Sequence, residues 1–332
     1  MSTIVKDKFG TTQRGKDIDR FTFTNKNGGI LQVITYGATV TSTRVPTSKG
    51  LLELQLAYET LQGYETSKQY FGGIVGRYAN RIGNGKFTLN GKEYNMPINK
   101  PPNHLHGGFE GFSKKVWSGR VLDGSRLELS YVSPDGEEGY PGTVTAVVTY
   151  EWTERHELVV DMQATTDAPT PLDLTSHTYF NLTGNPYGKN NSVRTHDVRI
   201  PAKKCLLTDE NYLALEEPVN PIEGTPYDLN QLTNIGEAIE KLPFKGFDNY
   251  YCVKEDPHDT TTLVHMGEVV CKSTCLKMDV YSTQRGVEFY TGNFIDEPAA
   301  GGKYLSPFCA LTLEPMGYPD AINKVDSTQF PV

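Results

Sequence analysis

The chain has 332 residues, 37% of them hydrophobic, enough for one large β domain or two ordinary ones with a substantial core. Its formal net charge is −8 with both signs interspersed, so it lacks the basic patch of a nucleic-acid binder, and the acidic balance weighs against anionic membranes and polyanionic substrates. The N-terminal MSTIVKDKFG has no apolar h-region and no run approaches the ~20 apolar residues of a membrane span, which makes a cytoplasmic protein the expectation.

In chain order, GTTQRGKD (10–17) has P-loop glycine and lysine spacing, but Asp17 stands where a magnesium-holding Ser/Thr is needed and no helix pattern follows. FTFTNKNGGILQVITYG (21–37) reads as strand, Asn-Gly-Gly turn and alternating strand. GNGKFT (83–88) lacks the third glycine of a dinucleotide fingerprint, and no G-x-S-x-G elbow occurs. RLELSYVS (126–133) alternates Leu127, Leu129 and Tyr131, and PDGEEGYPG (134–142) is dense in turn formers. TVTAVVTYEW (143–152), a polar turn at Thr153–His156 and ELVVDMQATT (157–166) read as a long hairpin. The glycosylation triplets at Asn181-Leu-Thr183 and Asn190-Asn-Ser192 are expected to be idle without a secretory signal. IGEAIEKL (235–242) sets Ile235, Ala238, Ile239 and Leu242 on one helical face, with Thr233 and Asn234 available as caps. MDVYSTQ and VEFYTGN (278–293) read as a strand pair around Arg285-Gly286. Cysteines 205, 252, 271, 275 and 309 are odd in number and mostly far apart, as reduced thiols are. The predicted fold is all-β, a single large antiparallel β-sandwich with few short helices, forming one domain over 1–332.

The histidines carry the chemistry. His104-x-His106-x-x-x-Glu110, followed by His177-x-x-x-Asn181, has the outline of a cupin-type metal site, since residues two apart share a strand face. Cupins flank the first motif with glycines, and those places hold Ile98 and Trp117. The plainer reading turns His104 to solvent and packs His106 against backbone.

Five stretches in order decide between them: GRYANRIGNGKFTLNGKEY (76–94), NHLHGG (103–108), DGEEGYPG (135–142), SHTYFNL (176–182) and LEPMGYPDAI (313–322). With GFDNYY (246–251) and TQRGVEFYTGN (283–293), they resemble the aldose 1-epimerases, from about residue 10 to the end. The resemblance implies a β-sandwich with a sugar cleft. It implies Glu314 as catalytic base, His177 as general acid and His106 as a second site histidine, with His104 incidental. It also implies sugar contacts from Asn80, Arg81, Asp248 and Gln284. One aromatic among Tyr179, Phe289 and Tyr290 is expected against the sugar's apolar face, with Tyr179 as the candidate.

The residue types suit the reaction. A base takes the proton of the anomeric hydroxyl while an acid protonates the ring oxygen; the open aldehyde rotates and recloses. No electrons move and no group leaves, so neither cofactor nor metal is expected. An imidazolium at His177, favoured by a nearby carboxylate, is the expected donor. Arg81 offers a fork of donors and Asp248 an acceptor for hydroxyls, and Gly107 and Gly108 are expected to let backbone approach the ligand. Arg285 stands where the family often has proline. Family members continue past TQFPV with a closing β segment, whereas this sequence stops at Val332, so an exposed sheet edge is expected. The expected partner is a small aldose, galactose or glucose, and the expected assembly is a monomer or weak homodimer. Competing readings are a phosphosugar epimerase using Arg285 and Lys303, a non-catalytic sugar-binding module, and the metal-dependent barrel.

Overall fold

A computed structural model describes residues 3–185, 192–215, 218, 221–256, 258–299 and 303–324. Asn190 and Asn191 of the second glycosylation triplet and the TQFPV terminus lie outside the described residues. The chain divides into two compact units, one made of Met1–Tyr78, Tyr94–Pro97 and His106–Thr178, the other of Ala79–Glu93, Ile98–Leu105 and Tyr179–Val332. Every pairing between the strands named below is antiparallel, and no described helix is long and apolar enough to cross a membrane.

The first unit carries two large sheets. One runs β1 (Thr3–Thr11), β2 (Asp17–Thr24), β3 (Ile30–Ile34), β4 (Thr39–Thr47) and β5 (Gly50–Glu53) in sequence order. The other runs β6 (Ser118–Val121), β7 (Arg126–Ser133), β8 (Val144–Trp152) and β9 (Leu158–Thr166). The period-two pattern explains β8: Val144, Ala146, Val148, Tyr150 and Trp152 are buried in strict alternation. They meet Phe21, Phe23, Leu31, Val33, Leu127 and Leu129 in one apolar cluster between the two sheets. Each such side chain contributes roughly 1.5–3 kcal/mol on burial. GTTQRGKD forms the β1–β2 hairpin turn, so no helix N-terminus follows it to hold a phosphate.

The second unit holds two further four-stranded sheets. One has the order Thr233–Asn234, β10 (Asp197–Arg199), β13 (Val264–Cys271), β14 (Leu276–Ser282). The other has the order β11 (Lys204–Leu206), β12 (Asp248–Cys252), β15 (Gly286–Tyr290), β16 (Thr312–Met316). The expected pairing across Arg285-Gly286 does not form. Both strands exist, but β14 pairs with β13, while β15 lies between β12 and β16. All five residues of β15 are buried, and a strand buried on both faces takes a central place in its sheet. The helical reading is met in its first part: α1, Ile235–Ile239, buries Ile235, Ala238 and Ile239 and is capped by Asn234, whose side chain accepts from the Glu237 amide at 3.1 Å. Leu242 falls beyond its end.

All five cysteines are free thiols. The Asn181 side chain is buried, its Nδ2 donating to the Cys309 carbonyl at 2.7 Å and its Oδ1 accepting from the Thr183 amide and hydroxyl at 2.9 and 2.7 Å.

Candidate active site

NHLHGG does not continue as a strand. His106 has φ +52°, so the rule that residues two apart share a face does not apply past Leu105. His104 is fully buried in a two-residue ladder with Ile82, which overturns the solvent-facing reading, and Glu110 lies 3.8 Å from Arg14. The three donors of the cupin-like pattern therefore do not line one strand. Gly107 and Gly108 follow with φ +81° and +104°. A Cβ at Gly107 would sit 1.8 Å from the Gly76 carbonyl, and one at Gly108 would sit 2.0 Å from the Glu138 carboxylate. The expected approach of these glycines to ligand is corrected accordingly: they admit the protein's own backbone and the Glu138 side chain. Glu138 accepts from the Phe109 and Glu110 amides at 3.0 and 3.1 Å, so DGEEGYPG anchors the turn that presents His106. Arg77 fastens that second motif in turn, donating to Ser133 Oγ and to the carbonyls of Ser133, Pro134, Pro141 and Gly142 at 2.7–3.0 Å.

His106 and His177 meet edge to face, ring centres 5.2 Å apart, and Tyr70 contacts both at 4.8 and 5.8 Å. The His177 backbone is pinned by its amide to Gly73 O and by its carbonyl to Gly72 N, at 3.0 and 2.9 Å. The expected imidazolium is not the resting form. Burial drives the His177 pKa down to about 3, only weakly opposed by a backbone hydrogen bond. The ring is neutral at physiological pH because desolvation disfavours its charge.

In the second unit, the register of β12, β15 and β16 gathers carboxyls. Asp248 stands opposite Tyr290, Tyr250 opposite Glu288, and Glu288 opposite Glu314. Partners directly across an antiparallel pair share a face, so Asp248, Glu288, Tyr290 and Glu314 line one side of this sheet. Phe289 points to the other side, tilted against Phe247 at 5.1 Å, and is core. Glu314 is buried, and its Oε1 accepts from Thr312 Oγ1 at 2.7 Å. Burial lifts its pKa to about 8. The Thr312 hydrogen bond and the Arg81 charge oppose the rise, and the Asp248 charge adds to it.

The YANRI segment faces these acids. Arg81 Nη2 lies 3.7 Å from Asp248 Oδ2, and the guanidinium sits over Tyr212 at 5.5 Å. Its buried Nε has no hydrogen-bond partner among the described residues, a donor open to a ligand. Asn80 has φ +61°, which asparagine tolerates. Its Oδ1 accepts from the Arg81 amide at 2.8 Å, and its Nδ2 donates to Glu288 Oε2 at 3.2 Å. Asp320 of LEPMGYPDAI accepts from the Gly83 amide at 3.0 Å and so ties the two motifs together. Tyr179 is buried and edge-on to Tyr290 at 6.1 Å; burial first, then the Tyr290, Glu314 and Asp248 charges, push its pKa well up.

Of the predicted residues, His106 and His177 come together in the first unit, and Asn80, Arg81, Tyr179, Asp248 and Glu314 come together in the second. Gln284 does not join either group. It is half-buried in the turn before β15, its amide on Ser282 Oγ at 3.1 Å. Arg285 shares that turn, and the Lys303 carbonyl accepts from the Ala299 amide at 2.9 Å. Sequence reasoning passed over Glu288. The signal was available: in GVEFY, alternation puts Glu288 and Tyr290 on the face opposite Val287 and Phe289.

The sequence matches the aldose 1-epimerase family over residues 19–330. A galactose mutarotase of Rattus norvegicus is 37% identical over 335 residues, covering 100% of this chain and 94% of the relative. The galactose mutarotase of Homo sapiens is 38% identical over 301 residues, covering 89% and 84%. The crystal structure of an aldose epimerase homologue from C. elegans aligns with TM-score 0.84 over 100% of this chain and 94% of that one, at 23% identity, which speaks for the fold. The chain belongs to the aldose 1-epimerase family. It is an enzyme, an isomerase with aldose 1-epimerase activity.

Proposed function

We propose that the substrates are free aldohexoses, galactose and glucose, and that Glu314 and His177 carry the two proton transfers at the anomeric carbon. The observation that carries this reading is Glu314, a carboxyl buried beside Arg81 and Asp248 with its pKa lifted to about 8. Burying a carboxyl is costly without a task, and perturbed carboxyls collect at sites of chemistry. The names of the mammalian relatives support galactose as the sugar. The five free thiols support a cytoplasmic setting.

Glu314 takes the proton of the anomeric hydroxyl and His177 gives one to the ring oxygen as the ring C–O bond breaks. The aldehyde rotates, and both transfers reverse on reclosure. In the ring-open complex Glu314 is protonated and His177 is neutral. These are the forms that burial favours in each residue, so the buried groups stabilise the open sugar. In the closed complex the same single proton lies on His177, with hydroxyls around both groups supplying the polar contacts. Arg81 and Asp248 hold adjacent hydroxyls while the ring is open, Asn80 orients Arg81, and Tyr179 supports the pocket wall. His106 adds a contact on the ring-oxygen side.

One proton shared by Glu314 and His177 sets the pH dependence. Above about pH 3 a second proton is absent, and the one that remains leaves as pH passes the Glu314 value of about 8. The expected kcat/KM for galactose, corrected for spontaneous mutarotation, is flat through neutral pH and falls about tenfold per unit above about pH 8. A profile that instead rises through pH 8 contradicts the shared proton.

A further inference from the structure

Tyr70 has a backbone conformation that a bulky aromatic rarely adopts: its φ is +59°, in the left-handed region. Its ring lies edge-on to His106 at 4.8 Å and stacked on His177 at 5.8 Å. The two histidines are buried, 8% and 4% exposed, whereas Tyr70 is only half-buried. The tyrosine is the outer ring of the three.

The chain on either side holds it there. The Gly73 amide donates to the Tyr70 carbonyl at 3.0 Å and closes a turn. The same turn grips the His177 backbone: the Gly72 amide donates to the His177 carbonyl at 2.9 Å, and the His177 amide donates to the Gly73 carbonyl at 3.0 Å. Upstream, the short helix Leu61–Thr66 ends at Lys114, whose Nζ donates to the Tyr64 and Ser67 carbonyls, both at 2.6 Å. A helix C-terminus leaves such carbonyls without intrahelical donors and favours a cation beside them. Ser67 Oγ then accepts from the Gln69 amide at 2.9 Å, and Tyr58 stacks on Phe71 at 4.8 Å. Both chain neighbours of Tyr70 are tied down, so its unfavourable backbone is imposed by its surroundings, and such outliers gather where a structure serves chemistry.

We propose that Tyr70 is a positioning residue for the proton transfer, its ring sealing the His106–His177 pair from water and fixing the angle between the two imidazoles. The inference rests on the reading of His177 as the proton donor and deepens it by naming what keeps that donor dry. Burial is the first cause of the low His177 pKa of about 3, so opening this side returns it toward the ordinary histidine value of about 6.5. Tyr70 and His106 are the titratable rings that meet His177 in its own unit, and Glu314 is its partner in the proposed reaction. Glu314 is already protonated below about pH 8. A second proton, on His177, leaves no base, so an opened site loses activity as pH falls through the new His177 value.

Two variants separate the ring from the backbone. Tyr70→Phe keeps the ring. Tyr70→Gly removes it and accepts the positive φ without strain. The His177 pKa is read by NMR of 13C-labelled histidine, with the resonance assigned by its loss in His177→Leu, and kcat/KM for galactose is followed by polarimetry from about pH 5 to about pH 8. Circular dichroism checks folding. In the wild type and Tyr70→Phe, His177 is expected not to titrate above about pH 5, and the two enzymes are expected to agree in kcat within about threefold. In Tyr70→Gly, His177 is expected to titrate between about pH 5 and about pH 6.5, with kcat/KM at about pH 5 at least about fivefold below its value at about pH 7.5.

A folded Tyr70→Gly whose His177 still does not titrate above about pH 5 would overturn the proposal. Tyr70→Phe as impaired as Tyr70→Gly would overturn it too, because the hydroxyl rather than the ring cover would then be the working part. If Tyr70→Gly does not fold, Tyr70→Asn takes its place, since asparagine tolerates a positive φ, and the same NMR criterion decides. The NMR reading does not depend on turnover. A raised His177 pKa with a flat kcat/KM profile upholds the seal and counts against His177 as the donor.

Discussion

Glu314→Gln lowers galactose turnover at least about a hundredfold and leaves sugar binding nearly intact, on the order of one acid/base contribution, or about 3 kcal/mol of barrier. The substitution is nearly isosteric. The glutamine carbonyl still accepts from Thr312 Oγ1, now 2.7 Å from Glu314 Oε1, so the local hydrogen bond survives. It is also neutral, as the protonated glutamate of the empty site is, because burial lifts the Glu314 pKa to about 8. No buried charge is lost and the fold should be undisturbed. What disappears is the capacity to accept a proton. Steady-state polarimetry gives kcat and KM, and a thermal melt checks the fold. Near-normal kcat in a folded variant would remove Glu314 from the base role.

His177→Leu is expected to lower kcat by roughly 10²–10⁴, with KM changed far less. The ring lies stacked on Tyr70 at 5.8 Å and edge-on to His106 at 5.2 Å, a surrounding that accepts an apolar side chain of similar size. It is neutral in the resting protein, its pKa driven to about 3 by burial, so leucine strands no counter-charge. The loss then measures proton donation to the ring oxygen. His106→Leu, made in parallel, is expected to lose less. The reverse ranking would move the donor role to His106, whose ring sits against the same tyrosine.

Much of this architecture is legible from alternation alone. β8 buries every second residue, and such a pattern admits one register against a core. The motifs are legible as motifs, but their physical purposes are not. The glycines of HGG look like an invitation to ligand, yet they make room for Gly76 and Glu138, contacts between residues 31 positions apart at Gly107–Gly76 and 30 at Gly108–Glu138. The strands at 276–290 look like a hairpin because they are adjacent in sequence; burial on both faces of β15 sends it between β12 and β16 instead. The metal-site outline of His104 and His106 rests on a strand running through both, and the positive φ at His106 ends that strand.

The charge states were the least legible part. Sequence supplies an acid and a base by type, and suggests that a carboxylate would keep His177 positive. Desolvation dominates instead, lowering His177 and raising Glu314, so both are neutral at rest. Glu288 was hidden for a related reason. A glutamate within a β run is ordinarily a solvated side chain, and only the strand register places it opposite Glu314 and one strand from Asp248.

The most direct test of the whole account is the optical rotation of freshly dissolved α-galactose, followed with and without the protein in the presence of EDTA. The account predicts a faster decay to the same equilibrium rotation, with a rate proportional to protein concentration. A decay indistinguishable from the spontaneous one, in a sample that still binds galactose, would contradict it.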